Sequence, residues 1–348
     1  MASVVRSTPI RVLFLTEDRE DYLADGLLHG LRCTPWVEVV DYPRKDCLYV
    51  GGLRSQQCPE LGVRGGGFNL YGTLSADREP ERSQIFRKLE RGWFDLVVVG
   101  NVWRQWGQLL DMKGLLGSVP LALLDGDDDA RLYPGSTTHL RHFGPWRSLA
   151  SLLHQPGCRY FKREWQGDGP LARVGARWCG LNIHQVLPAG FSIPDNKVVD
   201  RARLNQPRSQ RFPTHIIDPE VQKLVGGQTT YAFLTEADYN ADLQRSRFGI
   251  TTKRSGWDCL RHLELAANGC VLCFRDLDLK PASCAPHGLH TGNCISYRSG
   301  KELLQRLEAL SLEEECHLRE EAWVWARRHT TRQAARLLLK AFGLGSEV

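Results

Sequence analysis

The 348-residue chain sets 45 Lys and Arg against 40 Asp and Glu, a net charge of +5 with no basic block, so charge gives no ground for nucleic-acid binding. Its 42% hydrophobic content suits a folded chain of two ordinary domains, and no apolar run approaches the roughly 18 residues of a membrane span. The 11 Cys are scattered through predicted strands and helices and read as reduced thiols; the early apolar run breaks at Thr16-Glu17-Asp18 as a first strand does, so a cytoplasmic protein is expected.

Residues 10–15 read as a buried strand of parallel type, 17–22 as a polar loop, 23–31 as an amphipathic helix and 37–40 as a second strand. Strand, loop, helix, strand opens a doubly wound α/β domain, in which ligands sit off the carboxyl ends of the strands. Asp18, Asp21, Asp25 and His29 therefore start at or near a cleft rim, where a general base would be found. Helix capping by Asp18 or Asp21 is the plainer reading of those residues. The Gly-rich stretch 62–72, GVRGGGFNLYG, lacks the strand-to-helix setting of a dinucleotide fingerprint and reads as a loop over the cleft or a flexible connection. A helix at 85–91, a strand at 94–99, a helix at 109–116 and a strand at 120–124 follow. The last runs into Asp125-Gly126-Asp127-Asp128-Asp129: Asp125 falls at a strand end, and Asp127 to Asp129 read as an exposed turn rather than a metal site. Residues 160–165, YFKREW, form a short predicted strand that brings Lys162, Arg163 and Glu164 to the same rim.

The segment 188–213 is rich in Pro, Arg and Asn and reads as a linker between an N-terminal domain, 1–187, and a C-terminal domain, 214–348. In the second domain, strands are predicted at 231–234, 248–251, 271–274 and 294–297, with helices at 301–310 and, as one long element, 313–342. Cys270, Cys273, Cys284, His287, His290 and Cys294 have spacings a zinc site could use. Cys270 and Cys273 flank a buried strand, however, where their side chains face different ways, and free Cys packs well as a small hydrophobe. No metal is expected.

The most informative stretch is 242–274, DLQRSRFGITTKRSGWDCLRHLELAANGCVLCF. A strand at 248–251 leads into a polar loop carrying Lys253, Arg254, Ser255 and Gly256. An amphipathic helix from about Asp258 to Asn268 follows; Gly269 closes it, and a buried strand comes next. The loop empties its backbone N–H groups at a helix start beside Lys253 and Arg254, an anion site suited to a diphosphate. Arg261 and Glu264 share one helical face; the Arg can reach a phosphate and the Glu can accept from a ribose diol. An ordinary βαβ unit with an Arg261–Glu264 surface salt bridge accounts for the same residues.

S-R-F-G-I, then R-x-x-E-L-A-A-N-G-C, resembles the donor-nucleotide segment of GT-B glycosyltransferases. It is most similar to the exostosin-like and spore-maturation-like branches, through Arg261, Glu264, Gly269 and Cys270. The resemblance implies two Rossmann-like α/β domains facing each other across a cleft, with a terminal helix able to cross back to the first. It implies transfer of a sugar from a nucleotide-diphosphate sugar to an unidentified acceptor, without a cofactor. In the other large glycosyltransferase fold, GT-A, a D-x-D run binds a metal–nucleotide; GT-B sites need none. The implied donor site is Lys253, Arg254, Ser255, Gly256, Arg261 and Glu264, with Glu264 on the ribose and Arg261 stabilising the leaving diphosphate. Asp18, Asp21 and Asp25 are the nominees for a base if configuration inverts. Many GT-B enzymes carry a second Glu eight positions before the first, where this chain has Gly256. That departure keeps open a nucleotide-sugar epimerase or hydrolase, or a protein that binds a nucleotide-sugar or glycan without chemistry.

Overall fold

In the computed structural model, which describes residues 8–52, 70–75, 79–133, 152–167, 170–230 and 233–345, the strands form two parallel sheets. The first holds β1 (Ile10–Leu15), β2 (Val37–Tyr42), β3 (Leu96–Val99), β4 (Leu121–Asp125), β5 (Cys158–Lys162) and β6 (Val186–Pro188), in the order β2-β1-β3-β4-β5-β6. Runs such as LVVV in β3 are apolar at every position because both faces of the sheet are covered. Leu13, Leu15, Val97 and Val99 pack on one side, under α3 (Val102–Met112) with its Trp103, Leu109 and Met112. Val12, Phe14, Leu96 and Val98 pack on the other, against Leu23, Leu27, Leu28 and Leu31 of α1 (Tyr22–Arg32). A helix α2 (Ile85–Glu90) and a helix α4 (Pro170–Trp178) complete this half. Because all strands run the same way, their carboxyl ends make one rim.

The second sheet is β7 (Phe248–Thr252), β8 (Val271–Arg275) and β9 (Cys294–Tyr297), in the order β7-β8-β9. Around it lie α5 (Pro219–Val225), α6 (Glu236–Arg245), α7 (Leu260–Ala267), α8 (Gly300–Ala309) and α9 (Leu312–Arg328). A final helix, α10 (Thr331–Ala341), returns to the first domain: Ala335, Leu338 and Leu339 join the α1 side of its core. Gly30 permits this approach, since a Cβ there would lie 1.8 Å from the Thr331 carbonyl oxygen.

Several expectations are corrected. The long helix expected over 313–342 is broken at His329 and Thr330, where the chain meets Ile193: Ile193 N–H donates to the His329 carbonyl (3.2 Å) and Thr331 N–H to the Ile193 carbonyl (2.9 Å). The helix expected at 109–116 begins at Val102, because Asn101 caps it by accepting from the Arg104 N–H at 3.1 Å. Phe233 and Leu234 are not in a strand; residues 231 and 232 lie outside the described residues, as do 62–69 of the Gly-rich stretch. Among the described residues, no helix is long and apolar enough to cross a membrane.

Candidate functional site

A cleft of about 930 Å³ opens between the carboxyl rim of the first sheet and the start of α7. The helix starts at Leu260, two residues later than predicted, and its N-cap Cys259 makes no side-chain capping bond. Cys259 and Leu260 both line the cleft. A helix start without a side-chain cap favours an anion.

Arg261 and Glu264 line the same cleft, each braced by a residue that the sequence did not single out. His215 Nε2 lies 3.0 Å from the Thr229 carbonyl oxygen, so that nitrogen carries the hydrogen. Its Nδ1 is therefore an acceptor, and it takes a hydrogen bond from Arg261 Nη1 at 3.0 Å. Burial, and then the Arg261 charge, push His215 down to about 4, which keeps the imidazole neutral. Glu264, 6% exposed, accepts at Oε2 from the Tyr239 hydroxyl at 2.7 Å. On the inner side of α7, His262 donates from Nε2 to the Trp257 carbonyl (2.9 Å), accepts at Nδ1 from Thr251 (2.8 Å) and stacks on Phe274. Burial pushes it too down to about 4, and its two bonds tie the loop to β7.

Gly256 is where that loop meets the first domain. A Cβ at 256 would sit 2.4 Å from Glu164 Oε1 and 2.8 Å from Asp128 Oδ1, so the space a second Glu would need is already filled. Glu164 Oε1 accepts from the Asp258 N–H at 3.1 Å and from Arg163 Nη1 at 2.7 Å. Arg163, 1% exposed, also donates to the Gly126 and Asp258 carbonyls at 3.0 Å each and pairs with Asp128. Its guanidinium lies 4.6 Å over the Phe191 ring. This buried group joins the two domains beside the cleft.

The remaining nominees separate. Arg254, Ser255 and Gly256 line the cleft with Arg261 and Glu264. Lys253 does not; it is exposed, with its ammonium 5.0 Å above the Trp257 ring. Asp21 lines the cleft as the N-cap of α1, accepting from the Ala24 N–H (3.1 Å), from Asn101 Nδ2 (2.7 Å) and from Arg104. Asp18 is exposed outside the cleft lining. Asp25 is 1% exposed beneath the rim, 3.1 Å from Lys45 Nζ, and burial pushes its carboxyl up to about 6. The sequence could have offered Asn101 and Arg104, since Asn after a strand-ending Gly is a helix-cap signal.

The acidic run is largely occupied. Asp125 is fully buried and binds Lys162 Nζ at 2.9 Å and the Tyr160 hydroxyl at 2.5 Å. Asp128 pairs with Arg163 and Asp129 with Arg131, while Asp127 lines the cleft. Among the described residues, no group of three His, Cys, Asp or Glu could hold a metal ion. Cys270, Cys273, Cys284 and Cys294 are core residues, and His287 bonds the Ala189 carbonyl at 3.2 Å.

No family model and no curated protein matches this sequence. The fold does match solved structures. One is a glycosyltransferase from Rickettsia africae ESF-5, with a TM-score of 0.52 at 8% identity over 96% of this chain and 98% of that one. Another is Anabaena Alr3699/HepE in complex with UDP, with a TM-score of 0.52 at 8% identity over 96% of this chain and 99% of that one. At that identity the likeness is one of fold: the chain has the GT-B architecture, two Rossmann-like domains facing each other across a cleft.

Proposed function

We propose that this chain is a glycosyltransferase that moves a sugar from a nucleotide-diphosphate sugar to an acceptor seated on the first-domain rim. One observation carries the reading: Arg261 and Glu264 reach the cleft from one turn of α7, braced by His215 and Tyr239, beside a helix start without a side-chain cap. The helix N–H groups, Arg254 and Arg261 take the diphosphate, and the Glu264 carboxylate accepts from the ribose hydroxyls. Their hold on the diphosphate strengthens as its bond to the sugar breaks and negative charge grows there, which is where stabilisation raises the rate. The Arg261 to Cys270 run supports a place near the exostosin-like and spore-maturation-like branches of GT-B enzymes. No cofactor enters this scheme, and Arg254, Arg261 and the helix start supply the positive potential.

If configuration inverts, the base comes from the opposite rim, where Glu20, Asp21 and Asp127 line the cleft. Asp21 already accepts three hydrogen bonds and serves better as a strut than as a base. Ten free cysteines among the described residues suit a reducing cytoplasm, where we place the reaction. A thermal-stability panel of nucleoside diphosphates tests the donor site, since a ligand bound only by the native state raises apparent stability. UDP, present in the Anabaena neighbour, is the first probe. A rise with at least one nucleotide is expected, and no rise with any contradicts the reading. Mass analysis of turnover with donor alone then separates transfer from epimerisation or hydrolysis.

A further inference from the structure

We propose a second anion site, on the face of the first domain away from the cleft, for a compact ligand carrying two or more phosphate groups. The first sheet is parallel, so the cleft occupies the carboxyl ends of its strands and the amino ends of β5 and β6 open on the far side. There Arg159, Arg173, Arg177, His154, His184 and Asn182 surround a pocket of about 670 Å³, and none of the described residues lining it is acidic. Small-molecule sites occupy about 300–1,000 Å³.

The charge in this pocket is not explained by the fold. Arg173 and Arg177 are exposed and one turn apart on α4, so their guanidiniums share a helical face and repel. Among the described residues, no carboxylate pairs with either. Arg159 lines the same pocket from β5. Its Nη1 donates to the Pro156 carbonyl at 2.6 Å and the Cys158 carbonyl at 3.0 Å, which fixes the guanidinium and leaves Nε and Nη2 for a ligand. Gly180 shapes the wall: its φ is +81°, and a Cβ there would come within 3.3 Å of the His154 ring. The whole chain carries a net charge of only +5, so three arginines lining one pocket are a local concentration. A guanidinium fork matches phosphate oxygens two at a time, and three positive charges are balanced more fully by two phosphate groups than by one. This site does not rest on the donor reading, because the two pockets share no residue.

Calorimetric titration of the full chain with pyrophosphate, at about 0.15 M salt, tests the proposal. Pyrophosphate is also expected in the cleft, so the titration is made in an Arg261→Ala background. There the cleft event should be weakened while a second event keeps its affinity, and adding Arg173→Ala and Arg177→Ala should weaken that second event about tenfold or more with unfolding temperature unchanged. Inorganic phosphate should bind at least about tenfold more weakly than pyrophosphate. Absence of binding in Arg261→Ala, or binding indifferent to Arg173 and Arg177, overturns the site. Phosphate bound as tightly as pyrophosphate overturns the ligand class. Loss of all binding on Arg261→Ala alone supports the donor site and refutes this one.

Discussion

On the first-domain rim, Asp125, Lys162, Arg163 and Glu164 are each 2% exposed or less, and each is paired with an opposite charge. On the facing rim, Arg261 donates to the His215 imidazole and Glu264 accepts from the Tyr239 phenol, and both line the cleft. The first group ties Asp128, Glu164 and the Asp258 backbone together across the two domains; the second presents its side chains to the cleft. In the sequence the two groups look alike: both follow a strand, and both mix Arg with Glu.

The comparison is broken most forcefully at Arg163. Arg163→Met leaves the buried Glu164 without its cation and the Gly126 and Asp258 carbonyls without their donor, and should lower stability by about 3–5 kcal/mol in urea unfolding. A loss under about 1 kcal/mol would show that the first rim is not a structural network. On the other rim, Glu264→Gln should leave stability nearly unchanged and weaken nucleotide-diphosphate binding by about 1–3 kcal/mol. Unchanged affinity would remove Glu264 from the site. Arg261→Lys keeps the charge and loses the planar fork, so kcat should fall more than donor affinity does. A surface salt bridge would make that variant nearly silent, at about 0–1 kcal/mol, and wild-type turnover in both Arg261→Lys and Arg261→Ala would leave Arg261 structural.

Acid separates buried groups by sign. His29, His215 and His262 are held near 4 against an ordinary value of 6.5, so the unfolded chain binds more protons between those values and stability falls as pH drops from 6.5 towards 4. Asp25, raised from 3.8 to about 6, opposes this, gaining stability as pH falls through about 6. His287 and His329 are also pushed down, and Glu17, Asp125 and Asp258 also pushed up, so the His215 share is read by difference. His215→Gln should flatten the fall of the urea midpoint as pH drops from 6.5 towards 4, and an unchanged fall would contradict the neutral His215 on which the Arg261 geometry rests. The smallest expected effect is that of chelation. Asp125, Asp128 and Asp129 already have cationic partners, so turnover should survive complete chelation. Loss of activity restored by magnesium or manganese would overturn the metal-free scheme.

Local patterns were legible in the sequence. β1, β3 and β4 follow from apolar runs, and the strand, polar loop and helix around 248–268 follow from their own residues. What was not legible depends on partners far along the chain. Arg163 meets Asp128 35 positions away and Asp258 95 positions away, and His215 meets Arg261 across 46. The start of α7 shifts because Asp258 is drawn elsewhere, its side chain to the Phe191 N–H at 2.7 Å and its own N–H to Glu164. The break before α10 has no Pro or Gly to announce it, since Ile193, far back along the chain, supplies the hydrogen bonds there.

The central claim is that Arg261 and Glu264 hold a nucleoside diphosphate in the cleft. Calorimetric titration of the nucleotide that most raises thermal stability, into the wild type, Glu264→Gln and Arg261→Ala, tests it most directly. The account predicts one site in the wild type, weakened by about 1–3 kcal/mol in each variant while unfolding temperature holds. Equal affinity in all three folded proteins would contradict it.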